Sequence, residues 1–352
     1  LCRGLRLPVA SEAPTAAPAG AVRPVQAFAV NAAFRIACVP IASPLVLAPM
    51  AGYTTSALRL LAKEAGCGLV FSETISSKAI FHGNERSWSL MAFQPAERPI
   101  ALQLLGGDPE IVAHAVTRAE ELAPDLIDIN LGCPKPKVTP KREGAALLAD
   151  PVRATAIVRA ACKAARAPVT VKLRLPDEGA RPEFIDFLRG LQDCGAAALT
   201  LHPRTVAEGF GGRARWEVFS AVAERISVPL IASGDAKNAD DVRALLGMGC
   251  AAVMIGRAAI GNPYLFREIL ADLAGRPAPA QAPAERLSLC LRHLAMLARE
   301  SDERTAVLVM RKQLGPYLKT VPGHKQLTAA LVAIDRYADL AAAIDSIRRG
   351  LL

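Results

Sequence analysis

Residues 128–134 read Asp-Ile-Asn-Leu-Gly-Cys-Pro, and this stretch decides how the rest of the chain is interpreted. Residues 126–130 are apolar and β-prone, which predicts the end of a buried strand. Gly132 permits a sharp turn, and the proline after Cys133 prevents a helix from starting at once. The turn therefore presents Asn130 and Cys133 at the carboxyl end of a strand, where barrel enzymes carry their chemistry.

Cys133 has two interpretations. Free cysteines are among the most buried residues, and most of them are structural. A thiol on a loop, backed by the Asn130 amide, can instead donate or accept a proton. The Asn-x-Gly-Cys-Pro context and the motifs that follow favour the second interpretation, in which Cys133 is catalytic.

Seven further apolar runs alternate with amphipathic stretches, and Asp108, Asp150 and Asn238 are suitable helix N-caps. Strand–helix alternation predicts parallel strands with right-handed crossovers. Eight such units in roughly 230 residues predict a TIM (β/α)8 barrel of the α/β class. A doubly wound sheet fits less well, because no glycine-rich dinucleotide turn follows the first run. The eight runs are 45–48, 69–71, 100–104, 126–129, 169–173, 198–201, 229–232 and 252–255.

Polar residues or glycine turns end these runs, and in a barrel such ends converge on one face. The last two turns, 233–235 and 256–257, follow the strands where barrels commonly bind phosphate. Lys172 lies beside an apolar core and needs an anionic partner, such as a reduced flavin. The strand ends are Pro49-Met50, Ser72-Glu73, Gln103, Asn130, Lys172, His202, Ser233-Gly234-Asp235 and Gly256-Arg257.

Composition and charge restrict the class of protein. The chain has 352 residues, a net charge of +9 and 52% hydrophobic residues. The positive charge favours a polyanionic partner such as nucleic acid. The eight cysteines form no C-x-x-C pair, which predicts neither a zinc site nor a disulfide framework and suggests the cytoplasm. No apolar run is long enough to predict a membrane span.

Three regions follow from these patterns. Residues 1–33 are rich in Ala and Pro and are expected to be a disordered extension. Residues 34–275 form the predicted barrel, and residues 284–352 the predicted helical bundle. The bundle concentrates positive charge at Arg311, Lys312, Lys319 and Lys325. A solvated basic face is the alternative to an RNA-binding surface.

Taken together, the motifs resemble the FMN-dependent tRNA-dihydrouridine synthases from about residue 34 to residue 349. Their order and spacing carry the resemblance, although Pro203 stands where the family often has Gly. The motifs are Leu47-Ala48-Pro49-Met50-Ala51-Gly52-Tyr53-Thr54, Ser72-Glu73, Gln103-Leu104, Asn130-Leu131-Gly132-Cys133-Pro134, Lys172-Leu173-Arg174, His202-Pro203-Arg204-Thr205, Gly209-Phe210-Gly211-Gly212, Ser233-Gly234-Asp235 and Gly256-Arg257-Ala258.

The resemblance implies that FMN lies across the barrel mouth and reduces a uridine of tRNA to 5,6-dihydrouridine. Cys133 matches the family's proton donor, and NADPH or NADH restores the flavin. Asn130 and Arg204 fall at the substrate side, and the basic residues of the bundle contact tRNA. The implied FMN-binding residues are Pro49, Met50, Ala51, Gln103, Lys172, His202, Ser233, Gly234, Asp235, Gly256 and Arg257.

Two other functions remain open at this point. A barrel flavoenzyme acting on a free pyrimidine, like the dihydroorotate dehydrogenases, would share the phosphate loops but does not predict the basic tail. A non-catalytic RNA-binding protein with a degenerate barrel predicts loss of Cys133 or Lys172, and both are present.

Overall fold

The computed structural model describes residues 34–134, 142–176, 179–277 and 281–352. The predicted extension, 1–33, lies outside these residues. The strands are β1 Phe34–Ile36, β2 Val39–Ile41, β3 Leu45–Leu47, β4 Leu69–Phe71, β5 Ile75–Ser76, β6 Ile100–Leu105, β7 Leu126–Leu131, β8 Val169–Arg174, β9 Ala198–His202, β10 Leu230–Ser233 and β11 Ala252–Ile255.

Helices follow most barrel strands and then form the carboxyl-terminal part of the chain. They are α1 Ser56–Glu64, α2 Ser77–Phe81, α3 Glu85–Met91, α4 Pro109–Ala119, α5 Pro151–Ala164, α6 Pro182–Asp193, α7 Val218–Ala223, α8 Ala239–Gly247, α9 Leu265–Leu273, α10 Pro283–Glu300, α11 Glu303–Leu318, α12 His324–Val332 and α13 Tyr337–Arg349.

Eight parallel strands close into a barrel. The ring runs β3, β4, β6, β7, β8, β9, β10 and β11, and β11 pairs with β3 to complete it. All eight correspond to the apolar runs of the sequence, so the predicted TIM barrel is confirmed. Along each strand alternate residues face the helices and the barrel interior. On β9, for example, Leu199 and Leu201 pack in the outer core, whereas Ala198 belongs to the inner one.

A short antiparallel hairpin, β1–β2, covers one end of the barrel and was not predicted. Its Ile36 and Ile41 are fully buried and pack with interior residues that include Leu69 and Leu126. Each hairpin strand has only three residues, too few for a periodic pattern to be recognised. The hairpin closes the end opposite to the carboxyl ends of the strands, so the other end alone is open for chemistry.

The predicted N-caps are confirmed. The Asp108 side chain accepts from the N–H groups of the first turn of α4, and Asp150 does the same for α5. Asn238 caps α8. Each cap satisfies donors that would otherwise lack partners and fixes where the helix begins after its loop.

Helices α10–α13 form a bundle that packs on the barrel. Its core includes Leu61 of α1, and the Arg292 guanidinium pairs with Glu64 at the end of that helix. Gly261, in the loop after β11, approaches α11 closely: a Cβ there would lie 2.5 Å from Cβ of Pro316. The bundle is therefore held directly against a loop that continues from the mouth of the barrel. Among the described residues no helix combines the length and apolarity that crossing a membrane requires.

Candidate active site

Four predicted site residues lie on neighbouring strands at the carboxyl end of the barrel. Gln103, Asn130, Lys172 and His202 come from β6, β7, β8 and β9, and Asn130 is in register with Lys172. The side-chain amides of Gln103 and Asn130 are joined, since Asn130 Nδ2 donates to Gln103 Oε1 at 2.8 Å. The fold therefore brings these predicted residues into one cluster.

Asn130 also fixes the loop that carries Cys133. Its Oδ1 accepts from the backbone N–H groups of Gly132 and Cys133, both at 3.0 Å. The Cys133 carbonyl in turn accepts from Ala145 N at 3.1 Å. The thiol is partly exposed. A side chain anchored on both sides but still accessible is what a positioned proton donor requires.

Lys172 lies below this loop and is half-buried. Burial, together with the charge of Arg174, lowers the pKa of its ammonium to about 8. Negative charge on Asp128 or on Cys133 acts in the opposite direction. Lys172 is thus a cation that is poorly compensated by the protein, and an anionic ligand at the mouth would stabilise it.

Arg174 and Phe210 belong to the site, although the sequence singled out neither. Arg174 Nε donates to the Gly132 carbonyl at 3.0 Å, and Nη1 donates to the Gly209 carbonyl at 2.7 Å. Its guanidinium lies 5.3 Å from the ring of Phe210, which is 60% exposed. Arg174 therefore joins the Cys133 loop to the loop of Phe210. The Lys-Leu-Arg and Gly-Phe-Gly-Gly motifs were the available signals.

Arg204 has a different role from the RNA contact that was predicted. It is 1% exposed, and all five of its N–H groups are used. Two bond to Asp235 at 2.6 and 3.0 Å, two to the carbonyls of Gly211 and Gly212 at 2.8 Å, and one to His202 Nε2 at 3.2 Å. With every donor directed inward, Arg204 holds the loop and has none left for a phosphate.

His202 is consequently neutral. A guanidinium can only donate, so His202 Nε2 accepts and the ring proton lies on Nδ1. Burial lowers the pKa of His202 to about 2, and Lys172, Arg174, Arg204 and Arg257 reinforce the shift with their charges. Its free Nδ1–H is a donor available to a ligand.

The turns after β10 and β11 form an anion cradle. Gly234 has φ +120°, and a Cβ there would lie 2.7 Å from the His202 ring, so only glycine fits. Within the described part of the chain, the backbone N–H groups of Gly234, Asp235, Gly256 and Arg257 make no hydrogen bond. Free N–H groups on two adjacent turns suit a phosphate, as the sequence predicted.

The Asp235 side chain supports the cradle. Burial would raise the pKa of this carboxyl, but the bond from Arg204 and the N–H of Ala214 outweigh burial and lower it. Arg257 also pairs with Asp235, at 3.0 Å, yet its side chain stays 58% exposed. Asp235 thus orients Arg257. Asp235 itself would bind an anion through its backbone N–H group.

The loop after β3 forms the wall opposite Lys172. Thr54 Oγ1 fixes this loop by accepting from Met50 N at 2.9 Å and donating to the Ala48 carbonyl at 3.0 Å. The Met50 sulfur lies 3.7 Å from the Cβ position of Gly256. Together with the neighbouring Pro49 and Ala51, Met50 provides an apolar surface beside the phosphate cradle. The described residues thus fit a flavin mononucleotide: an apolar wall, polar groups facing it and an anion cradle at one end.

The basic residues of the bundle differ in their surroundings. Arg311 is 23% exposed and bonds to the Ile334 carbonyl at 2.8 Å and to the Asp335 carboxylate, so it ties α11 to the turn after α12. Both bonds are made by Nη2, so this end of the guanidinium that was predicted to contact RNA is used within the bundle. Within the described residues, Lys312, Lys319 and Lys325 are exposed and form no ion pair.

Lys312 reaches the mouth of the barrel. Its Nζ lies 3.0 Å from the Cβ position of Gly52, in the loop that carries Met50. Gly52 N donates to the Glu73 carboxylate, which fixes the loop at this point. A free ammonium from the carboxyl-terminal bundle is therefore located at the edge of the candidate site, and only the folded structure reveals it.

Comparisons with known proteins identify the family of the chain. A family model described as Dihydrouridine synthase (Dus) matches residues 46–348. The chain is 35% identical over 307 residues to tRNA-dihydrouridine synthase B of Pseudomonas aeruginosa, covering 87% of this chain and 92% of that protein. It is 34% identical over 305 residues to the protein of the same name from Pseudomonas putida, covering 86% and 90%. A solved mandelate oxidase is similar at a TM-score of 0.47 and 18% identity, over 70% of this chain and 76% of that one.

Proposed function

Because the chain belongs to the dihydrouridine synthase family, we propose that it reduces specific uridines of tRNA to 5,6-dihydrouridine with FMN as its flavin. The observation that carries this proposal is the cluster at the mouth of the barrel. Asn130 holds the Cys133 loop above Lys172, and the anion cradle lies across the same opening. A flavin and a nucleobase would both find partners there.

The cofactor would be held by polar groups on several sides of the barrel mouth. Backbone N–H groups of 233–235 and 256–257, with Arg257, would bind its phosphate. Lys172, Gln103 and the Nδ1–H of His202 would face its polar edge, and the wall around Met50 would cover the ring. When bound, the flavin supplies the hydride that carbon 6 of the uracil receives.

Cys133 would supply the proton for carbon 5. A general acid must carry its proton, and the anchored but accessible thiol can deliver it once the base is in place. A uracil inside folded tRNA is out of reach, so the nucleotide must be flipped into the mouth, at some unstacking cost. Asn130 would hold the loop of Cys133 and so keep the thiol next to the flipped base.

The bundle would hold the rest of the tRNA. Lys312, Lys319 and Lys325 are exposed cations suited to phosphates, and Lys312 lies at the edge of the site. NADPH or NADH would restore the flavin, and a reaction on tRNA with a nicotinamide reductant would take place in the cytoplasm. The basic bundle favours tRNA over the free pyrimidine of a dihydroorotate dehydrogenase.

Two measurements test this proposal. The purified protein should be yellow and release FMN when denatured. Mass mapping of tRNA from cells that lack the protein should show one or more uridines in place of dihydrouridine, and the wild-type gene should restore the modification. A colourless protein that cannot be reconstituted with FMN contradicts the cofactor. Unchanged dihydrouridine in tRNA contradicts the substrate and leaves the free-pyrimidine enzyme as the better candidate.

A further inference from the structure

Asp128 is a buried carboxylate directly beneath the candidate site. It is fully buried on β7, facing the barrel interior between Leu126 and Asn130. Its register partners are Gln103 on β6 and Thr170 on β8. A lone carboxylate at such a position is costly, because burial disfavours its charge. The surrounding groups must therefore compensate for it or leave it protonated.

Both oxygens of Asp128 are occupied by donors from the neighbouring strands. Gln103 Nε2 donates to Oδ2 at 2.8 Å, and Thr170 Oγ1 donates to Oδ1 at 2.6 Å. An ionised carboxylate only accepts, so it fixes which end of the Gln103 amide faces it. The Gln103 oxygen must then face Asn130 Nδ2, and the Asn130 oxygen must face the N–H of Cys133. Asp128 therefore fixes this chain at one end, and the backbone N–H groups of Gly132 and Cys133, which can only donate, fix it at the other.

Asp128 also acts on Lys172. Burial raises the pKa of Asp128 to about 7, while the bonds from Thr170 and Gln103 and the charge of Lys172 oppose the rise. Burial lowers the pKa of Lys172 to about 8, and the charge of Asp128 opposes that fall. The charged groups that act on Lys172 are Asp128, Cys133 and Arg174, and Lys172 in turn acts on His202.

We propose that Asp128 is a positioning residue of the active site: ionised, it orients the Gln103–Asn130 chain and supplies the countercharge that keeps Lys172 protonated beside the flavin. The inference rests on the proposed function only in that a flavin occupies the mouth. A protonated Lys172 stabilises negative charge on a reduced flavin, so Asp128 contributes to the reduction potential through Lys172. Arg174 cannot replace it, because its positive charge disfavours the ammonium of Lys172.

The test is the pH dependence of the midpoint potential of the bound flavin, which needs neither tRNA nor nicotinamide. Asp128→Asn keeps the shape and lets the amide accept from Gln103 and donate to Thr170, but removes the charge. In a plot of midpoint potential against pH, titration of Lys172 produces an inflection. In Asp128→Asn this inflection should move to lower pH by at least one unit. At a pH between the inflection of the wild type and that of the variant, the variant should favour the reduced flavin less strongly. A tenfold weaker preference lowers the midpoint potential by about 30 mV for the two-electron couple.

Two control variants make the result specific. Asp125→Asn removes the same charge at the opposite end of β7, where Asp125 pairs with Arg98, and should leave the inflection in place. Lys172→Met should abolish the inflection, alone and combined with Asp128→Asn. If Asp128→Asn does not retain flavin, Thr170→Val provides the second test: losing the hydroxyl makes the carboxylate harder to ionise, so the inflection should move in the same direction by a smaller amount.

The outcomes separate the two proposals. A wild-type protein that binds no flavin contradicts the proposed function and this inference with it. A flavin-loaded protein whose inflection is unchanged by Asp128→Asn or Thr170→Val contradicts the inference alone, because Asp128 would then be neutral or merely structural. If an inflection remains in Lys172→Met and Asp128→Asn still moves it, the inference is also overturned, because Asp128 would not be acting through Lys172.

Discussion

Replacing Arg204 by lysine distinguishes a residue that holds the phosphate cradle from one that contacts RNA. The substitution keeps the positive charge but removes the planar group that makes five hydrogen bonds. Lysine has three donors, so at least two bonds are lost. Hydrogen bonds contribute about 1 kcal/mol each, or about 1.5–3 kcal/mol when a charged group takes part. Because the charged guanidinium takes part in every lost bond, we expect Arg204→Lys to lower the free energy of unfolding by about 3–6 kcal/mol.

The same change should weaken flavin binding. Without the Arg204 bonds, Asp235 loses the group that orients it, and the N–H groups of the turn after β10 are less well placed for the phosphate. If about 1.4–2.8 kcal/mol of this loss appears in binding, the dissociation constant of FMN rises by about 10–100-fold. tRNA binding by the FMN-saturated protein should keep its salt dependence, because no phosphate contact is removed.

The assay combines urea unfolding of the apoprotein, fluorescence titration with FMN, and tRNA binding at several salt concentrations. Arg213→Lys is the matched control, since Arg213 is exposed in the same loop. It should leave stability and flavin affinity unchanged. The reasoning is refuted if Arg204→Lys keeps the wild-type stability and FMN affinity but loses tRNA affinity with a flatter salt slope, for Arg204 would then contact RNA.

Four further outcomes are expected. Cys133→Ala should leave flavin reduction by the nicotinamide intact and slow uridine reduction by roughly 10²–10⁴-fold; equal single-turnover rates on tRNA would make Cys133 structural. Lys312→Ala and Lys325→Ala should each lower the log–log salt slope of tRNA binding by somewhat less than one unit, and only Lys312→Ala should also slow reduction at saturating tRNA. Arg311→Ala should reduce stability in thermal unfolding, because it breaks the tie between α11 and the turn after α12, and leave the salt slope unaltered. Burial lowers the pKa of His293 from 6.5 to about 3, so below about pH 6.5 the unfolded chain binds a proton that the folded chain does not. The free energy of unfolding should therefore fall by about 1.4 kcal/mol per pH unit as the pH drops below about 6.5. A folded His293→Phe variant with the same acid sensitivity would contradict this.

The barrel and the position of Asn130 and Cys133 at a strand end could be predicted from local sequence patterns. Strand runs, N-caps and sharp turns depend on residues close together in the chain, so Asp108, Asp150 and Asn238 could be recognised as caps directly. The same local logic located Asn130 and Cys133 at a strand end, and closure of the barrel then brought Lys172 beside them. For the strand ends and the helix caps, which depend on neighbouring residues, the sequence-based predictions and the structure agree.

Which charged side chains are available to a ligand depends on contacts between distant parts of the chain. Arg204 and Arg311 looked like RNA contacts, but folding brings each to a carboxylate, Asp235 and Asp335, that lies 31 and 24 residues further along the chain. Asp128 could be recognised from the sequence only as part of a strand, because the donors that bond to its buried carboxyl group, Gln103 and Thr170, come from two other strands. Whether a guanidinium or a carboxylate is free to bind a ligand depends on the groups that pack against it. Those groups come from distant parts of the chain, so a local sequence pattern does not reveal them.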